Sequence, residues 1–395
     1  MTKIARRILL LDTGNEWGGG TNSMIELLKR IDRTRFAVTA CFYHSYRHGD
    51  STLREALAAI DIPLLILPTR HQPWWAKLAK ELARGLLPWR KPLRVAAVFR
   101  IELAWRIRPR ARALAELLRE GGYDLLYMNN QPASNLEGYL AAELTGVRVI
   151  QHCRIEPRIN TVERDIINRI AHALICVSHG VRDALIRQGV RRELCHVVHN
   201  GIDTRQPFPE PQPLAGVVSN TPVIGTIGSL IKRKSVAHLL HAVARLPQDL
   251  TPHLLIVGEG PEATALRQLA DELGLATRVT FTGFQKQPLP WLAAMDVFVL
   301  SSPSEGLPRV ILEAMLLEKP VVASNVTGSK EVVVHGETGY LYDYGDIDAL
   351  AVHLADLLRN PAKRQAFGDA GRRRASADFS IEAYVAGVTK VLEAS

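Results

Sequence analysis

VFVLSSPSEGLPRVILEAMLL, residues 297–317, passes from an apolar run through a polar turn into a second, mostly apolar run. Val297-Phe298-Val299-Leu300 has the length and character of a buried strand. Pro308 suits the first position of a helix, where its missing N–H costs nothing, and Val310 to Leu317 continue that helix. The segment therefore reads strand, turn, helix, and in a parallel α/β sheet ligands sit at such turns. Glu305 falls in the turn and Glu313 inside the helix, while the backbone N–H groups of Gly306 and Leu307 can point, with the helix dipole, at an anion. Carboxylates accept from sugar hydroxyls and free N–H groups suit phosphate, so the combination points to a phosphorylated sugar.

The rest of the chain is consistent with that unit being repeated. Its 395 residues predict two domains, and 47% hydrophobic with 23% charged residues describes an ordinary globular chain with ample core. No run of eighteen apolar residues occurs, and Asp12 stops the N-terminal apolar run well short of a signal-peptide core, so Arg7 to Leu11 reads as a first buried strand. Cys41, Cys153, Cys176 and Cys195 are scattered without metal-type spacing; they read as reduced core residues and imply a cytoplasmic or other reducing compartment.

After the first strand, Gly18, Gly19 and Gly20 form a turn that lets backbone approach a ligand, with Thr21 or Asn22 as the expected cap of the next helix. Further strands are expected at Ala37–Tyr43, Leu64–Leu67, Leu125–Met128, Val147–Gln151, Leu174–Val177 and Val197–Val198, with helical patterns between most of them. His152 then stands just past a strand end, and Ser178 is the expected cap of a helix. Five prolines at 207, 209, 211, 213 and 222 mark residues 206–222 as a linker. Beyond it the alternation restarts, with strands at Val223–Ile227, Leu254–Val257, Val279–Phe281, Val297–Leu300, Val321–Ala323 and Tyr340–Tyr342. Parallel neighbours need crossover helices, so each half is read as a doubly wound α/β domain. GTIGSLIKRKS at 225–235 is not a Walker loop, because Arg233 rather than glycine precedes Lys234. His196 and His199, flanking two valines, would point to opposite faces of a strand, and neither an H-E-x-x-H pattern nor a D-x-D pair suggests a catalytic metal.

SEGLPRVILEAM, with glutamates at 305 and 313, resembles the E-x7-E motif of the family-4 glycosyltransferases, and the likeness extends to the N-G-I-D segment at 200–203, to VGEGP at 257–261 and to VTFTGF at 279–284. The resemblance implies a GT-B fold, two Rossmann-like domains facing each other across a cleft. The first, at 1–205, would bind the acceptor and the second, at 223–378, the nucleotide-sugar, with a terminal helix in 379–395 crossing back to the first. It implies a retaining transferase that uses a nucleotide-diphosphate sugar as co-substrate, with no other cofactor and no metal. Carried over residue by residue, His152, Glu305 and Lys234 become the catalytic candidates. Gly18, Gly19, Gly20, Gly228, Ser229, Lys234, Gly258, Glu305, Gly306, Leu307 and Glu313 would hold the donor, with Glu313 on the ribose. Two departures stand out: Ser229 occupies the place of a phosphate-binding arginine, leaving Lys232 or Arg233 to supply the second charge, and Ser329-Lys330 replaces the usual hydrophobic residue and proline.

Charge is distributed unevenly. The whole chain carries +9, yet residues 70–112 hold twelve Lys or Arg against Glu81 and Glu102, together with Trp74, Trp75, Trp89 and Trp105. Tryptophan with basic residues suits a helix lying on an anionic lipid surface. Trp74, Trp75, Lys77, Lys80 and Arg84 are the residues expected to do so, on short helices at Trp74–Leu87 and Leu93–Ile107 separated by Pro88, Pro92 and Pro109. A chain held on the inner face of the cytoplasmic membrane in this way would act on a lipid-linked or lipopolysaccharide-type glycan. Two other readings remain open: an epimerase or phosphorylase of the same fold, and a nucleic-acid binder, which the pI near 9.5 allows but no recognition motif supports.

Overall fold

The computed structural model describes residues 5–14, 17–48, 51–69, 71–86 and 89–394. Arg70, Leu87 and Pro88, which entered the reading above, lie outside them. The chain forms two parallel sheets flanked by helices. The first contains β1 (Arg6–Asp12), β2 (Phe36–Phe42), β3 (Leu64–Ile66), β4 (Leu125–Asn129), β5 (Arg148–Cys153), β6 (Ala173–Cys176) and β7 (Cys195–Val197), in the spatial order β3-β2-β1-β4-β5-β6-β7. The second contains β8 (Val223–Ile227), β9 (His253–Val257), β10 (Val279–Gly283), β11 (Val297–Leu300), β12 (Val321–Ser324) and β13 (Gly339–Tyr342), in the order β10-β9-β8-β11-β12-β13. The strand order of each sheet thus reverses once, between β1 and β4 and between β8 and β11. Ligand crevices open at such switch points, outside the carboxyl ends of the strands.

Burial on both faces explains the apolar strands. Leu9 and Leu11 face one core cluster while Ile8 and Leu10 face another, all at most 2% exposed. The helix Ile381–Ala394 leaves the second half of the chain and packs against the first sheet: Ile381, Tyr384, Val388 and Leu392 join the cluster built on Ile8, Leu10 and Tyr127. A parallel bridge between Ile202 and Ser380 fastens the two crossing segments side by side.

Three local expectations need correction. The helix after β1 starts at Gly19, so neither Thr21 nor Asn22 caps it; the Asn22 amide oxygen instead accepts from the Trp17 indole at 2.6 Å. The strand expected to stop at Gln151 runs on to Cys153, so His152 lies within it. Pro109 does not divide the basic stretch, because Lys91–Glu102 continues through a π-helical turn, Leu103–Ile107, into Arg108–Glu120. In that turn the Arg108 N–H bonds five residues back to the Leu103 carbonyl. The wider turn absorbs a residue that lacks its own N–H.

Candidate active site

The second-domain half of the site is built at the ends of β8 and β11. Ser301, directly after β11, donates to the carbonyls of Lys234 and Ser235 at 3.1 and 3.0 Å and so pins the basic turn that follows β8. This places Lys234 Nζ 2.6 Å from Glu305 Oε1, while Arg233 donates to the Ser304 carbonyl at 3.2 Å and lies 3.5 Å from the same carboxylate. Arg233 therefore brings the second charge to the turn, and Ser229 is exposed. Burial pushes the Glu305 carboxyl up, but the Lys234 ammonium and then the Arg233 guanidinium outweigh it and hold the group below the usual carboxylate range.

Two glycines in this half are required by close backbone approach. A Cβ on Gly258, whose φ is +136°, would lie 2.0 Å from the Gly228 carbonyl oxygen, so the loop after β9 rests directly on the loop after β8. A Cβ on Gly306 would lie 2.0 Å from the carbonyl oxygen of Arg154, which belongs to the first domain. The E-x7-E turn is thus part of the domain junction. Asn200 reinforces it by donating to the Leu307 carbonyl at 3.0 Å. Among the described residues no protein acceptor takes the N–H of Gly306 or Leu307, and the helix Arg309–Leu316 starts immediately after them. Glu313, half-buried in that helix, accepts from Arg309 Nε at 2.9 Å. Burial outweighs Arg309 here, so the Glu313 carboxyl is raised while that of Glu305 is lowered.

The first-domain half consists of residues the sequence reading passed over. Asp12 and Asn129 are register partners at the carboxyl ends of β1 and β4, and Asn129 donates to Asp12 at 2.6 Å. Burial raises the Asp12 carboxyl despite the hydrogen bonds from Asn129 and Gly14 and the charge of Arg154. Arg154, one residue past β5, is buried and donates to Asn129 Oδ1 at 2.8 Å, Asn200 Oδ1 at 3.0 Å and Tyr384 Oη at 3.2 Å. Its guanidinium holds together the switch point of the first sheet, the segment leading to the second domain and the returning C-terminal helix. The available signal was positional, since Asp12, Asn129 and Arg154 each end or directly follow an apolar strand.

His152 does not face this cleft. With β5 continuing to Cys153, the alternation of side chains puts the imidazole on the Ile150 face, fully buried, with Nδ1 2.5 Å from Tyr127 Oη and the ring 6.2 Å from that of Tyr384. Burial, then the nearby Arg154 charge, drives its pKa well below the ordinary histidine value. Gly18 and Gly19 have open space around their Cβ positions, and a Cβ added at Gly20 would lie 3.6 Å from Arg154 Cγ, which places the start of the helix Gly19–Arg30 beside the aliphatic stem of that side chain.

In the basic stretch the helix is Trp74–Leu86. Trp74, Trp75, Lys77 and Arg84 are exposed. Lys80 is not part of that surface: its ammonium pairs with Glu102 and lies 5.4 Å over the Trp105 ring, with the side chain only 12% exposed. Outward instead go Trp74, Leu78, Leu82 and Leu86, one apolar residue per turn, each 52–78% exposed, followed by Trp89 at 94%. No helix among the described residues is long and apolar enough to cross a membrane.

Comparison with known proteins agrees with this architecture. The profile of Glycosyltransferase Family 4 matches residues 17–206 and that of Glycosyl transferases group 1 matches residues 214–374. The lipopolysaccharide core biosynthesis glycosyltransferase LpsE of Rhizobium meliloti is 32% identical over 54% of this chain, and the match spans 62% of that protein's own length. Alpha-maltose-1-phosphate synthase of Mycolicibacterium smegmatis is 33% identical over 65% of this chain and 78% of that protein. Among solved structures, Anabaena HepE in complex with UDP and glucose superposes with a TM-score of 0.78 over 99% of this chain and 100% of that one, at 24% identity, a likeness of fold. With two Rossmann-like domains meeting at an E-x7-E turn and these two profiles matched in succession, the chain belongs to the family-4 (group 1) glycosyltransferases of GT-B fold.

Proposed function

We propose that this glycosyltransferase moves a sugar from a nucleotide-diphosphate donor to a lipid-linked or lipopolysaccharide-type glycan, with retention of anomeric configuration and without a catalytic metal. The observation that carries the donor assignment is the turn in which Lys234 and Arg233 converge on the buried Glu305 beside the free N–H groups of Gly306 and Leu307. A diphosphate entering there would meet two cations and a helix N-terminus, which together stabilise charge building on a leaving group. Glu305, released from Lys234 by the phosphate, would accept from donor hydroxyls, and Glu313 from the ribose. In the front-side displacement, the bond from the anomeric carbon to the phosphate oxygen breaks with its electron pair going to the diphosphate. The acceptor oxygen bonds to the same face of that carbon and passes its proton to the departing phosphate. Charge neutralisation by side chains predicts that transfer continues in EDTA.

Support for a membrane acceptor comes from the stripe Trp74, Leu78, Leu82 and Leu86, flanked by exposed Lys77 and Arg84. An exposed apolar row rimmed by cations is the surface of a helix resting in a lipid headgroup layer. It would hold the first domain against the inner face of the cytoplasmic membrane. Thermal melts across UDP, GDP, ADP and their sugars test the donor reading: one nucleotide series should stabilise the wild type, and stabilisation by none of them would remove the proposal. Consumption of donor without any acceptor would favour an epimerase instead.

A further inference from the structure

The two domains meet a second time at His179, His199 and Glu331. Glu331 lies in the short second-domain helix Ser329–Val332, and its carboxylate accepts from the backbone N–H groups of His179 at 2.8 Å and Gly180 at 2.6 Å. Those groups begin the first-domain helix His179–Arg187, so a carboxylate from one domain caps a helix of the other. His199 Nε2 stands 3.3 Å from Glu331 Oε2, and the two imidazoles meet edge to face with centroids 5.6 Å apart.

These contacts do not by themselves account for two histidines beside one carboxylate. At 3.3 Å the His199 contact is longer than the ~2.9 Å typical of an N–H···O hydrogen bond. Tetrahedral zinc, with bonds of about 2.0–2.2 Å, sets neighbouring ligand atoms about 3.3–3.5 Å apart. One ligand atom from each of His179, His199 and Glu331 lies within 4.8 Å of the others, and His179 is the exposed member of the three. Outer-shell hydrogen bonds that fix a ligating carboxylate are a regular part of such centres, and the two helix N–H groups already supply them to Glu331.

We propose that His179, His199 and Glu331 form a binding site for a zinc-class divalent transition ion that bridges the two domains, with water in the fourth position. Two imidazole ligands select zinc, cobalt or nickel over magnesium and calcium, which prefer all-oxygen sets. The ion would act on the junction rather than on the reaction. His199 immediately precedes Asn200, which holds the Leu307 carbonyl, and Gly328, three residues before Glu331, donates its N–H to the Glu305 carbonyl at 3.0 Å. Metal in this site would fasten the segments on both sides of the donor turn. The inference stands apart from any sugar transfer, and its test needs none.

The full chain, stripped with EDTA and then freed of it, is titrated with zinc chloride by calorimetry and with cobalt chloride by visible absorption. The expected result is one tight ion per chain, intense tetrahedral cobalt bands, and a melting temperature raised by zinc but not by magnesium. His199→Ala should weaken zinc binding more than about tenfold and abolish the bands. His179→Ala should do the same while leaving the metal-free melting temperature unchanged, because the backbone N–H that caps onto Glu331 is retained. Zinc binding by either variant as tight as that of the wild type, equal binding of magnesium, or no binding by the wild type would overturn the site.

Discussion

Lys234 Nζ and Glu305 Oε1 lie 2.6 Å apart, with the two side chains 18% and 9% exposed, so the pair is an ion bridge largely withdrawn from water. It links the basic turn after β8 to the E-x7-E turn after β11, across the switch point of the second sheet. Before donor enters, each partner neutralises the other. Donor phosphate would compete for the lysine and free the carboxylate for the sugar.

Lys234→Met should therefore cost more than a surface lysine. Leaving Glu305 buried with only the more distant Arg233 should lower stability by about 3 kcal/mol, the scale for removing one member of a buried pair. The double variant Lys234→Met, Glu305→Gln should recover most of that loss in chemical denaturation while remaining unable to transfer sugar. A single variant as stable as the wild type would show that the pair does not contribute to the fold.

Glu313→Gln should weaken nucleotide binding by about 1–3 kcal/mol, the loss expected when a charge-assisted hydrogen bond to a ribose becomes a neutral one. The fold should be kept, since Glu313 is only half-buried and its partner among the described residues, Arg309, lies one helical turn away. Calorimetric titration with the stabilising nucleotide reads the change directly. Unaltered affinity would remove Glu313 from the donor site.

Gly306→Ala tests the junction. Its added methyl would meet the Arg154 carbonyl oxygen at 2.0 Å, backbone against backbone, so the domains could not seat as they do here. Transfer should fall at least about a hundredfold, as expected when reacting groups are misplaced by an ångström. Small-angle scattering should report a more open chain. A variant with wild-type turnover would place the working arrangement elsewhere.

The buried His152 should be visible in the pH dependence of stability. Its folded pKa is lowered, so as pH falls below about 6.5 the unfolded chain binds a proton that the folded chain does not, and stability drops by up to about 1.4 kcal/mol per pH unit. His152→Gln should remove that part of the slope, with the similarly shifted His172, His238, His253 and His353 leaving a remainder. Glu305 and Glu331 have lowered values, so their contributions are present above the ordinary carboxylate range and disappear as pH falls through the folded values. An unchanged slope between pH 6.5 and about 5 in the variant would contradict the buried neutral imidazole.

On the first domain, Leu78→Asp with Leu82→Asp should abolish cosedimentation with anionic vesicles, and Lys77→Glu should weaken it in a salt-sensitive way. Lys80→Glu should behave differently, destabilising the helix pair by placing a second carboxylate beside Glu102. Equal binding to anionic and neutral vesicles would remove the electrostatic part of the proposal.

Much of this architecture was legible because buried parallel strands are short apolar runs and their crossover helices are amphipathic. The strands at 223–227 and 297–300 begin and end where the sequence reading places them. The misreadings came where chemistry interrupts hydrophobicity. His152 and Cys153 continue β5 past the expected end at Gln151 although His152 is polar, because its imidazole finds a buried partner in Tyr127 that no local pattern announces. That slip of two residues turned a buried imidazole into an apparent cleft residue and hid Arg154, whose three acceptors come from 25, 46 and 230 positions away. Lys80 was misplaced for a similar reason: composition located the basic stretch, but only packing against Glu102 and Trp105 decides which side of the helix meets solvent.

Transfer itself provides the most direct test. Wild type and Glu305→Gln are incubated with the nucleotide-sugar that stabilises the fold, with and without a lipid-linked glycan acceptor, while released nucleotide diphosphate and the anomeric proton of the product are followed by NMR. The wild type should release diphosphate only when acceptor is present, in EDTA as well as without it, and the new bond should carry the donor's anomeric configuration, whereas Glu305→Gln should be nearly inactive. An inverted product, or a Glu305→Gln variant as fast as the wild type, would contradict retaining transfer at the Lys234–Glu305 turn.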